Sequence, residues 1–180
     1  MRSPLIFLFA LVMLLTSCHQ NRLQQLSGTC FGTMYHITYQ SDKSLKPAIE
    51  AELQKVDQAL SMFNEQSDIA RINRNEDVQC GLMFTEVFRL AEKVSRETDG
   101  AFDITVAPLV NAWGFGFKEG IKPTQHQVDS LLKMVGYQKI SLADGHVRKK
   151  DPRTMLDCSA IAKGYACDVV ARMLKKRGRS

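Results

Sequence analysis

One junction of this sequence concentrates groups able to do chemistry: Leu156-Asp157-Cys158-Ser159-Ala160-Ile161-Ala162-Lys163-Gly164-Tyr165-Ala166. A short strand-like run, Thr154 to Asp157, feeds there into a helix whose apolar residues are Ile161, Tyr165, Val169, Met173 and Leu174. With Ser159 as the N-cap, Lys163 falls in the first turn or just beyond it, where the positive end of the helix dipole disfavours a cation. A negative partner is therefore expected beside it. Two readings are open: Asp157 pairs with Lys163 at the surface, or a phosphate binds the free N–H groups of the helix start. Gly164 inside the helix costs about 1 kcal/mol relative to alanine, which implies close packing or room for a ligand.

A second loaded stretch runs from Ala101 to Phe117 and holds Asp103, Pro108 and Trp113-Gly114-Phe115-Gly116-Phe117, with the only tryptophan of the chain. Large rings mixed with glycines predict a shaped loop, either packed on the core or lining a pocket. The separations of Cys30, Cys80, Cys158 and Cys167 match neither a CxxC nor a zinc pattern, so these residues read as small buried hydrophobes. An oxidising compartment would permit disulfides among them.

The elements that must position these groups are legible from periodicity. Cys30 to Tyr39 reads as a strand with a tight turn or close backbone approach near Gly32-Thr33. Leu45, Ile49, Leu53, Val56, Leu60 and Phe63 form one helical stripe, with Pro47 in its first turn. Ser67 to Asn73 adds a short helix with Ile69 and Ile72 facing in. A helix from Thr85 to Thr98 buries Phe84, Val87, Phe88, Ala91 and Val94, with Gly100 just past its end. Thr124 and Gln127 make a capping box for a helix ending near Gly136. Lys139 to Leu142 and His146 to Lys149 flank Ala143-Asp144-Gly145, a hairpin signal. The fold class expected is α+β, a mixed, largely antiparallel sheet with packed helices.

The 180 residues are 44% hydrophobic and 24% charged, which excludes a disordered, collagen-like or multi-span membrane chain. Residues 1–17 read as a secretion signal, with Arg2 as the charged start and an apolar run from Leu5 to Leu15 that is too short to span a bilayer comfortably. Leu15-Thr16-Ser17-Cys18 resembles a bacterial lipoprotein box, which implies lipidation of Cys18 and a membrane anchor on the periplasmic side. Residues 18–25 are then expected as a lipidated tether and 26–180 as the folded portion. Two or three acyl chains give stable anchoring where one gives only marginal binding. The net charge is +5, with much of the excess at Lys175-Lys176-Arg177-Arg179. Such a terminal run caps a helix, and secretion argues further against nucleic acid as a partner.

Four segments together resemble the ApbE family, bacterial FAD:protein FMN transferases. They are Phe31-Gly32-Thr33; Ser67-Asp68-Ile69-Ala70-Arg71-Ile72-Asn73; Gly100-Ala101-Phe102-Asp103-Ile104-Thr105-Val106-Ala107-Pro108-Leu109-Val110 with Trp113-Gly114-Phe115-Gly116; and Asp157 to Asp168. The resemblance implies a transferase that moves FMN from FAD to a threonine hydroxyl of an acceptor flavoprotein subunit, releasing AMP. It implies flavin contacts at Phe31, Phe63, Ala101, Phe102, Asp103, Asp157 and Lys163, with Lys163 near the phosphates, and magnesium (Mg2+) bound in part by the carbonyl of Ala160. Phe31 stands where the family more often has methionine; both are large and apolar, so ring contact survives the change. For Phe63 the alternative is a core position at the end of its helix.

The family continues for about as many residues again, and that second half carries an acidic metal-binding segment and a segment lining the flavin. The chain is therefore expected to be a truncated homologue with little or no transfer activity alone. The alternatives are a non-catalytic, membrane-anchored FAD-binding lipoprotein, or a lipoprotein with structural interactions only, in which the aromatic loop is core and Lys163 a solvated charge.

Overall fold

The computed structural model describes residues 22–115 and 122–178. The expected signal, Cys18, Gly116 and Phe117 lie outside them. Two strands come first, β1 (Arg22–Cys30) and β2 (Thr33–Ser41), paired antiparallel from Arg22↔Ser41 to Cys30↔Thr33. The tight turn expected near Gly32-Thr33 falls at Phe31-Gly32, and it joins two strands of a hairpin where one strand is expected over Cys30 to Tyr39. Arg22 to Gln25, expected from sequence in the tether, are paired residues of β1. The signal for β1 is its alternation: Leu26 is buried, Gln24, Gly28 and Cys30 are half-buried, and the residues between face solvent.

Tyr39 pins the hairpin to the start of the next helix, its hydroxyl accepting the N–H of Leu45 at 2.8 Å. Helix α1 (Lys46–Leu60) starts there with Pro47 in its first turn and buries Ile49, Leu53, Val56, Ala59 and Leu60. It stops at Leu60, so Phe63 leaves the apolar stripe and is 61% exposed. Helix α2 (Asp68–Asn73) is capped by Ser67, which accepts the N–H of Ala70 and donates to the carbonyl of Ser61 at 2.6 Å. Helix α3 (Leu82–Glu97) begins three residues before the expected start and buries Phe84, Val87, Phe88 and Ala91.

The predicted loop after Gly100 contains a short helix, α4 (Ala107–Ala112), and α5 (Gln125–Leu132) carries the predicted capping box of Thr124 and Gln127. A 3-10 turn (Tyr137–Lys139) leads to the second hairpin, β3 (Ile140–Ala143) and β4 (His146–Lys149). Among the described residues the sheet structure is two separate two-stranded antiparallel hairpins rather than one sheet. Thr154 to Asp157 is not a strand; Met155 makes a lone parallel bridge to Val106. The chain closes with α6 (Ser159–Lys176), which packs chiefly on α1 and buries Ala162, Tyr165, Ala166, Val169, Val170 and Leu174. Tyr165 donates to Glu86 at 2.6 Å and Arg172 pairs with the same carboxylate at 3.6 Å, which ties α6 to α3, while within α6 Arg172 lies 5.4 Å from the centre of the Tyr165 ring. No helix of the described residues is long and apolar enough to cross a membrane.

Candidate functional site

A groove of about 480 Å³ runs between the first hairpin and α6. Its hairpin wall includes Cys30, Phe31, Met34 and Ile37; its helix wall includes Lys163, Ala166, Cys167 and Val170. The tip of the hairpin decides its shape. Both turn residues have positive φ, +52° at Phe31 and +69° at Gly32, the signature of a type I′ turn. Gly32 is natural there, but a bulky side chain in the left-handed region is an outlier and costs roughly 1–2 kcal/mol. The ring of Phe31 offsets part of this cost by packing, half-buried, against the core.

Lys163 stands on the facing helix. Its ammonium is exposed, and its hydrogen bond to protein is a long one, 3.4 Å to the carbonyl of Ser159. It forms no ion pair with Asp157 or another carboxylate of the described residues. Asp157 is otherwise employed: its carboxylate accepts the N–H of Ser159 at 2.7 Å, so the cap of α6 is supplied from Asp157 and the N-cap position is Cys158, one residue earlier than expected. Gly164, beside Lys163, would place a Cβ in open space, since no atom beyond its chain neighbours and the backbone of its own helix turns lies within 4 Å of it. Close packing therefore does not explain this glycine.

The remaining predicted residues reach this corner through the backbone. Asp157 donates its N–H to the carbonyl of Ile104 at 2.7 Å, which sets Ala101-Phe102-Asp103 alongside the start of α6. Phe102 is half-buried against the core and Ala101 exposed. Both oxygens of Asp103 are engaged: one accepts the N–H and hydroxyl of Thr105, and the other accepts the N–H of Tyr137, each at 2.7 Å. Thr105 in turn accepts the N–H of Gly136 at 2.7 Å, so this carboxylate clamps the loop to the 3-10 turn. Neither Ala101 to Asp103 nor Phe63 lines the groove that Phe31 and Lys163 share. Trp113 and Phe115 are 42% and 79% exposed, so these two rings of the loop do not fill the core.

Ala160 is exposed in the first turn of α6, and no group of three or more His, Cys, Asp or Glu able to hold a metal occurs among the described residues. One carbonyl does not make a magnesium site, because the ion demands near-octahedral oxygen coordination. The described residues do not fit that ion by themselves. Of the cysteines, Cys158 and Cys80 are buried as expected, and burial pushes their thiols up to about 12 and about 11. Cys30 is half-buried, its thiol raised by burial and by Asp57. Cys167 departs from the expectation: it is exposed, in the wall of the groove.

Sequence reasoning misses one residue in this corner. Asn73, which enters there only as the end of a motif, holds the backbone of Leu156 from both sides. A polar amide closing a six-residue helix with two buried isoleucines is the available signal.

The profile of the ApbE family matches residues 31–180. The chain belongs to the ApbE family. Its curated relatives include the FAD:protein FMN transferase of Vibrio cholerae serotype O1, 31% identical across 99% of this chain and 57% of that protein. The FAD:protein FMN transferase of Haemophilus influenzae is 32% identical across 93% of this chain and 54% of that protein. Among solved structures, the flavin transferase ApbE from Vibrio cholerae superposes with a TM-score of 0.82 at 30% identity, covering 88% of this chain and 55% of the other. The Pseudomonas stutzeri flavinyl transferase ApbE in its apo form also gives 0.82, at 28% identity, covering 91% and 56%. This ApbE chain thus spans about half the length of the relatives it matches.

Proposed function

We propose that the groove between the first hairpin and α6 binds FAD, with Lys163 at its phosphates and Phe31 against one of its rings. The observation that carries this reading is the exposed, carboxylate-free ammonium of Lys163 facing an apolar groove, in a chain of the ApbE family. A pyrophosphate satisfies that cation as no protein group there does, and Gly164, which does not itself line the groove, leaves open space next to Lys163. Asp157 and the loop of Ala101 to Asp103 would approach the ligand from the start of α6, and Phe63 from the exposed segment after α1.

The activity proposed is transfer of FMN from FAD to a threonine hydroxyl on an acceptor flavoprotein subunit. The threonine oxygen bonds to the FMN phosphorus, the pyrophosphate bond breaks, AMP leaves with the bridging oxygen, and the hydroxyl proton passes to solvent. Such a reaction depends on positioning and on neutralising phosphate charge, and Lys163 serves both. Magnesium supplies further neutralisation in such chemistry, and the carbonyl of Ala160 would offer it one oxygen. For the start of the chain, the proposal is an acylated Cys18 that holds the protein to the membrane on the periplasmic side.

Titration of the purified chain with FAD tests the site. Flavin fluorescence should quench saturably, and bound FAD should slow alkylation of Cys167 in the groove wall. Failure of both overturns the reading. AMP release and covalent flavin on a threonine-bearing acceptor then distinguish transfer from binding alone. Incorporation of radiolabelled fatty acid, lost in Cys18→Ser, tests the anchor.

A further inference from the structure

We infer that Asn73 is a positioning residue for the flavin site, acting through the backbone of Leu156 and Asp157; this rests on the groove being that site. Its side-chain oxygen accepts the N–H of Leu156 at 2.7 Å, and its amide donates to the carbonyl of the same residue at 2.8 Å. Asn73 therefore does for Leu156 what a neighbouring strand would do, in a segment that has only a lone bridge at Met155. Leu156 is fully buried, so its peptide groups have no recourse to water.

Asn73 lies where the separate candidate groups meet. On one side its amide also reaches the sulfur of Met62 at 3.5 Å, next to Phe63. On the other, the residue after Leu156 is Asp157, which bonds Ile104 beside Asp103 and caps the helix that carries Ala160 and Lys163. A second strut runs parallel to it: Lys149 donates to the carbonyls of Ile72 and Thr154, each at 3.0 Å. The end of α2 thus sets the height and rotation of the start of α6. An amide is the side chain that meets both demands, because it donates and accepts from adjacent atoms, whereas a carboxylate only accepts and an alkyl group does neither.

The test exploits two buried thiols. Cys158 comes directly after the clamped segment, while Cys80 is buried elsewhere, its N–H held by the carbonyl of Gly145 in the second hairpin. In the full chain, alkylation of each is monitored by mass spectrometry under native conditions, alongside FAD titration. Asn73→Ala should speed alkylation of Cys158 at least tenfold, leave Cys80 protected and weaken FAD about tenfold. Asn73→Asp should show the same defects at pH 8 and lose them progressively toward pH 5, measured against the unmodified chain at each pH, because the protonated acid regains a donor.

Equal acceleration at Cys80 and Cys158 would overturn the inference in favour of a purely structural asparagine, and so would unchanged FAD affinity with Cys158 exposed. If Asn73→Ala does not fold, the pH response of Asn73→Asp decides alone. If the unmodified chain binds no FAD, the proposed ligand fails, while the Cys158 to Cys80 ratio still reports whether Asn73 holds this segment.

Discussion

The two hairpins use the same turn with opposite chemistry. In the second, Asp144 and Gly145 take the left-handed region at φ +51° and +77°, and Asp144 is exposed, with a side chain that tolerates that backbone. In the first, Phe31 occupies the corresponding position at +52°, where its ring raises the cost. Asp-Gly is the choice a chain makes when a turn need only reverse direction. Phe-Gly instead puts a ring into the lining of the groove that Lys163 shares, and contact with the proposed flavin would be a reason to keep the strained residue there. The two turns thus differ in what their first residue meets: Phe31 lines the groove and packs on the core, whereas Asp144 is exposed.

The largest effect that would sharpen this contrast is expected on the wall facing the first hairpin. Lys163→Met should weaken FAD by about 10- to 100-fold, the size of a charge-assisted contact, with the unfolding midpoint unchanged because the ammonium makes just one long bond within the protein. Unchanged affinity in a titration would detach the groove from phosphate binding. Next, Phe31→Asn relieves the turn but removes the ring. Strain relief and lost packing offset one another, so stability should move by less than about 1 kcal/mol, while FAD affinity falls about tenfold. The contrast breaks if affinity survives.

Asp144→Phe is the reciprocal change. It should lower stability by about 1–2 kcal/mol in denaturant unfolding and leave FAD titrations unaltered, since that turn does not line the groove shared by Phe31 and Lys163. The smallest effect is expected at Gly164. In Gly164→Ala the new methyl meets no atom beyond its own helix backbone and chain neighbours, so α6 should gain about 0.5–1 kcal/mol while FAD binds severalfold more weakly. A gain in stability with undiminished affinity would place the ligand away from this face of α6.

Patterns of period and punctuation make most helices legible. The stripe of Ile49, Leu53, Val56 and Leu60, the short helix with Ile69 and Ile72 facing in and the Thr124–Gln127 box all stand where the residues put them. The first hairpin is only partly legible: Gly32 announces a tight turn, but without the Asn or Asp typical of type I′, Phe31 reads as strand and the residues before Cys30 as tether. The segment over Thr154 to Asp157 has strand composition, yet its principal partners are the side chain of Asn73 and the carbonyl of Ile104 rather than a neighbouring strand. Composition records a preference for extended backbone and says nothing about who satisfies it.

The site divides along the same line. Residue types and order are enough to single out Lys163 and Asp157, because a cation early in a helix and a glycine beside it are local anomalies, while Phe31 and the ApbE family come from the resemblance of four motif segments. Which carboxylate remains free for Lys163 is not a local property. The structure assigns Asp157 to the cap of α6 and Asp103 to the clamp on Tyr137, leaving the ammonium open to the groove. The cap from Asp157 to Ser159 is local, but the clamp of Asp103 on Tyr137 spans 34 residues and the hold of Asn73 on Leu156 spans 83. Such partners are chosen when burial removes water as an alternative, and burial is decided only once the elements have packed.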